Sequence, residues 1–161
     1  MPVSALKEFL DRNNVKYLTI THSIAYTAQG IAALTHTRGK ELAKTVMVKV
    51  DGVLAMAVVP ASWHVSLERL KEGAGANAVG LASEADFFGR FPGCETGAMP
   101  PFGNLYDMAV FVDEGLAREK EIAFNAGSHR ELLRMLYEDF DRLVKPRTLK
   151  LVAGKAGAHA V

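Results

Sequence analysis

The sequence has 161 residues, 49% hydrophobic and 23% charged. That length and balance predict one compact domain with a sizeable core and exclude a disordered chain. Basic and acidic side chains nearly cancel, 19 against 18, which argues against a molecule that binds polyanions over its whole surface.

Ser4 is placed to cap a short helix whose inward face carries Leu6, Phe9 and Leu10, with Asn13-Asn14 as its stop. A strand over Tyr17 to Thr21 follows, then a helix capped by Thr27 and running through Ile31 to Leu34. The strongest local signal is Thr45 to Val50, then Asp51-Gly52, then Val53 to Val59. Two β-rich runs joined by Asp-Gly predict a hairpin with a type I′ turn, because both turn residues must accept positive φ. The second run is apolar on both faces and belongs in the middle of a covered sheet. Ser66 caps a helix ending at Gly73, and Ser83 with Asp86 forms a capping box for a helix from Glu84 to Phe91. Prolines and glycines between Phe91 and Gly103 predict a long shaped loop. Asp107 to Val112 and Glu121 to Asn125 are predicted strands, and the spacing of apolar residues over Glu131 to Val144 fits a helix.

The charge is unevenly spread. Between Arg142 and Val161 there are five basic residues and no acidic one, leaving 14 basic and 18 acidic in residues 1–141. The basic end is either a phosphate-contacting arm or a solvated terminus. Cys94 is the sole cysteine, which excludes an internal disulfide and a zinc site of several thiolates, and predicts a reducing, cytoplasmic setting. It is either a nucleophile served by a distant histidine or a small buried hydrophobe. The longest apolar run, Val53 to Ala61, is too short to cross a bilayer, so neither a membrane anchor nor a secretory signal is expected. Five scattered histidines show no metal-binding spacing, and no cofactor or metal is expected. The sequence contains no GxSxG, GxGxxG or GxxxxGK[ST] motif, which weighs against serine hydrolase, dinucleotide and triphosphatase chemistry. Two features remain. Lys44 stands where a polar segment enters the hairpin and could attract a phosphate or carboxylate. The segment Gly97-Ala98-Met99-Pro100-Pro101-Phe102-Gly103 combines glycines that permit close approach with prolines that fix φ, a rigid loop able to hold backbone groups around a reacting carbonyl.

Three blocks, Ala43-Lys44-Thr45, Gly97-x-x-x-Pro101 and Ile122 to His129, occur in an order and spacing that resemble the YbaK/EbsC family, the prolyl-tRNA synthetase-associated editing domain. The resemblance runs from about Ser4 to Pro146. It implies a single α/β (α+β) domain over residues 1–146, a mixed, curved β-sheet surrounded by helices, followed by a basic Ala/Gly-rich tail over 147–161. It implies a free-standing hydrolase acting on aminoacyl-tRNA carrying the wrong small amino acid: serine, threonine, alanine or cysteine. A synthetase is a further candidate partner, and a non-catalytic tRNA- or synthetase-binding module on the same fold is the rival reading. By position, Lys44 would hold the terminal adenosine or its phosphate, with Thr45 beside it, and Gly97, Ala98, Met99, Pro100 and Pro101 would position the aminoacyl group. Asn125, Gly127, Ser128 and His129 would close the pocket, and His22 and Tyr26 would line it. The resemblance also makes Glu131 to Leu136 a strand and starts the last helix near Tyr137, against the helical spacing.

Overall fold

The computed structural model describes residues 4–23 and 38–155. The helix expected after Thr27 lies outside these residues, as does Tyr26. Helix α1 (Ser4–Arg12) buries Leu6 and Leu10 and stops at Asn14, whose φ of 56° breaks the helical repeat. Strand β1 (Tyr17–Thr21) leads, across the undescribed stretch, to β2 (Ala43–Val50) and β3 (Val53–Pro60). These two strands form the expected hairpin, with Val50 opposite Val53 and positive φ at Asp51 and Gly52.

Next come β4 (Trp63–Val65), α2 (Leu67–Ala74), β5 (Val79–Leu81) and α3 (Glu84–Phe87). Both predicted caps are present. Ser66 accepts the Arg69 N–H, and Ser83 and Asp86 bond reciprocally. Their helices end elsewhere than expected. Helix α2 runs one residue past Gly73 and stops at Gly75, in the left-handed conformation. Helix α3 is a single turn, since Phe88 turns to extended geometry with its side chain 89% exposed.

The chain then forms a 3₁₀ turn (Gly103–Leu105), β6 (Ala109–Asp113), α4 (Glu114–Ala117), β7 (Glu121–Asn125), β8 (Glu131–Leu136) and α5 (Tyr137–Val144). The resemblance, not the helical spacing, is right for 131–144. Leu132 packs on one side of β8, while Leu133 and Met135 pack on the other. A strand buried on both faces shows no alternation and imitates a helix in its sequence.

Residues beyond 146 also depart from expectation. Instead of a tail from 147, β9 (Arg147–Leu149) pairs in parallel with β6, and β10 (Val152–Lys155) pairs with β4. The buried Asp113 ties this segment down, accepting the Leu151 N–H at 2.9 Å and the Gly115 N–H at 2.9 Å. Backbone pairing fixes these short strands whatever their composition.

The larger sheet has the order β5-β2-β3-β6-β9, with antiparallel and parallel pairs, and a second sheet has the order β1-β8-β7. A bridge between Leu42 and Ala123 joins them. Strand β3 is central and covered on both faces. Met56 and Val58 join a cluster with Phe102, Phe124 and Phe140, whereas Ala55, Ala57 and Val59 meet Leu70 and Leu151. Each fully buried Val, Leu, Met or Phe among them contributes about 1.5–3 kcal/mol. The result is a mixed α/β domain with its sheets packed among helices.

Candidate functional site

Two loops interlock at one end of the β7–β8 pair. The Glu95 N–H donates to the Gly127 carbonyl at 2.7 Å, and the Gly127 N–H donates to the Ala98 carbonyl at 2.9 Å. The His129 N–H donates to Glu95 Oε1 at 3.0 Å, and His129 Nε2 lies 2.8 Å from the Thr96 carbonyl. A carbonyl only accepts, so Nε2 carries the proton in this contact and is not the lone-pair nitrogen of a neutral ring. Gly97 sits beneath that ring with φ of 84°, and Gly127 has φ of 105°. Both glycines use backbone geometry that other residues adopt at a cost.

Ala98, Met99, Pro100 and Pro101 are buried, while Gly97 is exposed. The four residues therefore anchor the loop, and the glycine presents its backbone. The Gly97 N–H meets the Met99 thioether, at 3.2 Å. Sulfur is a weak acceptor, so this N–H is easily turned toward a stronger one. Gly97→Ala is expected to cost about 1–2 kcal/mol through its positive φ, because the added methyl would sit in ordinary contact with His129, 3.6 Å from Cε1. Urea unfolding measures that loss.

Lys44 enters the site from β2. The Leu42–Ala123 bridge sets β2 and β7 side by side in parallel. Two residues on, alternation places Lys44 and Asn125 on the same side of the joined sheets. His22 extends the β1–β8 ladder through its N–H to the Arg130 carbonyl, 2.8 Å away, and alternation from Ile20 gives it that side too. Thr45 faces the other way, with Ala43 and Met47, so the structure separates it from its neighbour. Ser128 caps its own turn by accepting the Arg130 N–H.

Burial pulls the Lys44 pKa below its ordinary value. No carboxylate among the described residues pairs with this half-buried ammonium. On the same side of the joined sheets, Asn125 Oδ1 and His22 Nε2 are buried without a hydrogen-bond partner among the described residues. His22 Nδ1 donates to the Ser23 carbonyl at 2.7 Å, which leaves Nε2 as an acceptor. The cation suits an anionic group and the two acceptors suit a donor such as an ammonium or hydroxyl.

Cys94 and the basic residues near the C-terminus have other surroundings. Burial pushes the Cys94 thiol pKa up, and its sulfur contacts the Tyr106 hydroxyl at 3.8 Å, the surroundings of a packed thiol and not a reactive thiolate. Among the described residues no group of three His, Cys, Asp or Glu side chains could hold a metal ion. Two of the basic residues near the C-terminus already have partners. Arg147 donates to the Gly73 carbonyl at 2.8 Å and lies over the Phe111 ring, and Arg142 bonds Asp139 at 3.1 Å. Sequence reasoning missed Glu95, whose loop-to-loop bond depends on a residue 34 positions away.

Known proteins share this arrangement of strands and helices. The model of the aminoacyl-tRNA editing domain matches residues 22–143, and the chain belongs to that family. Among solved structures, a protein proposed as a trans-editing enzyme for prolyl tRNA synthetase superposes with a TM-score of 0.78 at 18% identity, over 93% of this chain and 96% of that one. The hypothetical protein APE2540 gives 0.82 at 19% identity over 93% and 100%. A protein from Marinobacter aquaeolei VT8, proposed to act in signal transduction, gives 0.74 at 17% identity over 96% of this chain and 31% of that one. No curated protein matches. Among the described residues no helix is long and apolar enough to cross a membrane.

Proposed function

We propose that the protein hydrolyses, in trans, the ester of tRNA mischarged with a small amino acid. The observation that carries this reading is the half-buried Lys44, without a carboxylate partner among the described residues, at a strand end bridged to β7, whose following loop is hydrogen-bonded to residues 95–98. An aminoacyl ester is already activated. Its hydrolysis needs a held substrate, an oriented water and a stabilised oxyanion, not a strong nucleophile. Lys44 holds the terminal adenosine or its phosphate, the Gly97 N–H turns from the thioether to the developing oxyanion, and Asn125 and His22 bind the aminoacyl end. A ribose hydroxyl of the substrate activates the water. The reaction belongs in the cytoplasm, where tRNA is charged.

The amino acid removed is serine, threonine, alanine or cysteine. Small side chains are poorly rejected during charging, because one methylene changes discrimination by only about 1–3 kcal/mol, and later hydrolysis corrects the error. The test is loss of labelled amino acid from a panel of charged tRNAs, with and without Lys44→Ala. Lys44-dependent release of one or two small residues supports the reading. No release across the panel from folded protein favours a binding module that only holds tRNA or a synthetase.

Glu95 serves here as a positioning residue, because its carboxylate fixes the His129 backbone and so the loop facing Gly97. Glu95→Ala is expected to lower kcat about tenfold with little change in KM, a loss consistent with a small misplacement of reacting groups. Glu95→Gln keeps the accepting oxygen and retains most activity. Equal kcat in all three proteins would remove this role.

A further inference from the structure

A cleft of about 320 Å³ lies at the end of the β2–β3 hairpin that carries Lys44. Its walls include Lys40, Pro60, Trp63, Arg118 and Lys150. Pro60 pairs with Ala43 across the hairpin, next to Lys44, and Lys40 precedes Lys44 by four residues. The cleft therefore opens from the same strand end as the ester site.

The acidic groups in its wall are engaged. Asp113 accepts two backbone N–H groups, Glu114 lies 3.4 Å from Arg118, and Glu119 lies 3.9 Å from Arg38. Lys40 and Lys150 are exposed, and no carboxylate among the described residues pairs with either. Positive charge is thus left over at the rim. Inside stands Trp63, half-buried and held by the pairing of β4 with β10. Cations beside an aromatic face form the usual platform for single-stranded nucleic acid, the bases stacking and the phosphates lying on the lysines. The volume is at the lower end of small-ligand pockets, which start at about 300 Å³, and suits one nucleoside, not a duplex.

We infer that this cleft binds an unpaired nucleotide of the RNA strand whose aminoacylated end occupies the Lys44 site, with its base on Trp63 and flanking phosphates on Lys40 and Lys150. The inference rests on the editing reading, but its test is separable from it. Trp63 is the sole tryptophan, so its emission reports directly on the cleft. The probe is an uncharged acceptor-stem RNA hairpin with an unpaired 3′ end. Saturable quenching of Trp63 is expected.

The double variant Lys40→Glu/Lys150→Glu should weaken binding at least tenfold. It should also reduce the slope of log Kd against log salt by about 1.4, the share of two single-strand phosphate contacts. In deacylation it should raise KM and leave kcat unchanged. Both side chains are exposed, and a Tm equal to that of the parent protein confirms folding. If an end-labelled hairpin binds while Trp63 emission stays constant and the double variant binds equally well, the inference is overturned. The same holds if the hairpin does not bind at all. If no charged tRNA is hydrolysed but quenching and lysine dependence persist, the editing reading fails and the cleft stands. Hydrolysis with a KM insensitive to both lysines would instead keep the editing reading and remove the cleft.

Discussion

Lys44→Ala is expected to reduce deacylation by about 10²-fold or more, the scale of losing one preorganised electrostatic contact in an ester-cleaving site, while the protein stays folded. The ammonium is half-buried without a carboxylate partner among the described residues, so no ion pair among them depends on its charge. Burial sets its folded-state pKa below the ordinary 10.5. Below that lowered pKa the lysine is charged and holds the substrate. As pH rises through it, the charge is lost and KM climbs, earlier than a surface lysine would allow. Stability runs in the opposite direction. The charged form is disfavoured in the folded protein, so its burial costs stability at neutral pH, and that cost fades as pH rises from the folded value toward 10.5. Lys44→Met should therefore be inactive with a Tm equal to or above that of the parent protein. A Tm well below it would show that Lys44 is structural, and full activity would remove it from the site.

Phe102→Ala is expected to cost about 3–5 kcal/mol, as large-to-small changes of buried aromatic residues do. That is a large part of the roughly 5–15 kcal/mol that holds a domain together. The Phe102 ring is fully buried, with centroids 6.2 Å from Phe9, 5.5 Å from Phe124 and 5.5 Å from Phe140. It joins α1, β7 and α5, and it directly follows Pro101. The Gly97 loop is consequently fastened to the core through this ring. Urea unfolding should show a lower midpoint, and the protein still folded should have a lower kcat, since the loop loses its anchor. An unchanged midpoint would contradict this packing.

Elements with a local cause were legible in the sequence. The Asp51-Gly52 turn, the Ser66 and Ser83 caps and the strand Glu121–Asn125 all follow from residues close together, and the structure contains each. Elements whose cause lies elsewhere were not. The strands Trp63–Val65, Val79–Leu81, Arg147–Leu149 and Val152–Lys155 have no pattern of their own and exist because a partner edge is present. The double burial of 131–136 erased its alternation, and the family blocks supplied what periodicity could not. In the candidate site, Lys44 and the Gly97 loop could be picked out from residue type and resemblance. The opposed facing of Thr45, the unpartnered Asn125 oxygen and the Glu95 clasp depend on three-dimensional pairing and could not.

The parallel pairing of β6 with β9 has a consequence for synthesis. The edge of β6 finds its partner only when Arg147–Leu149 has been made, well after β6 itself. Until then a nascent or truncated protein carries an open strand edge rich in Val110, Phe111 and Val112, the kind of template on which other chains assemble. A deletion that removes Arg147–Leu149 should leave a chain with most of its core residues that precipitates, because β9 closes the edge against its own copies.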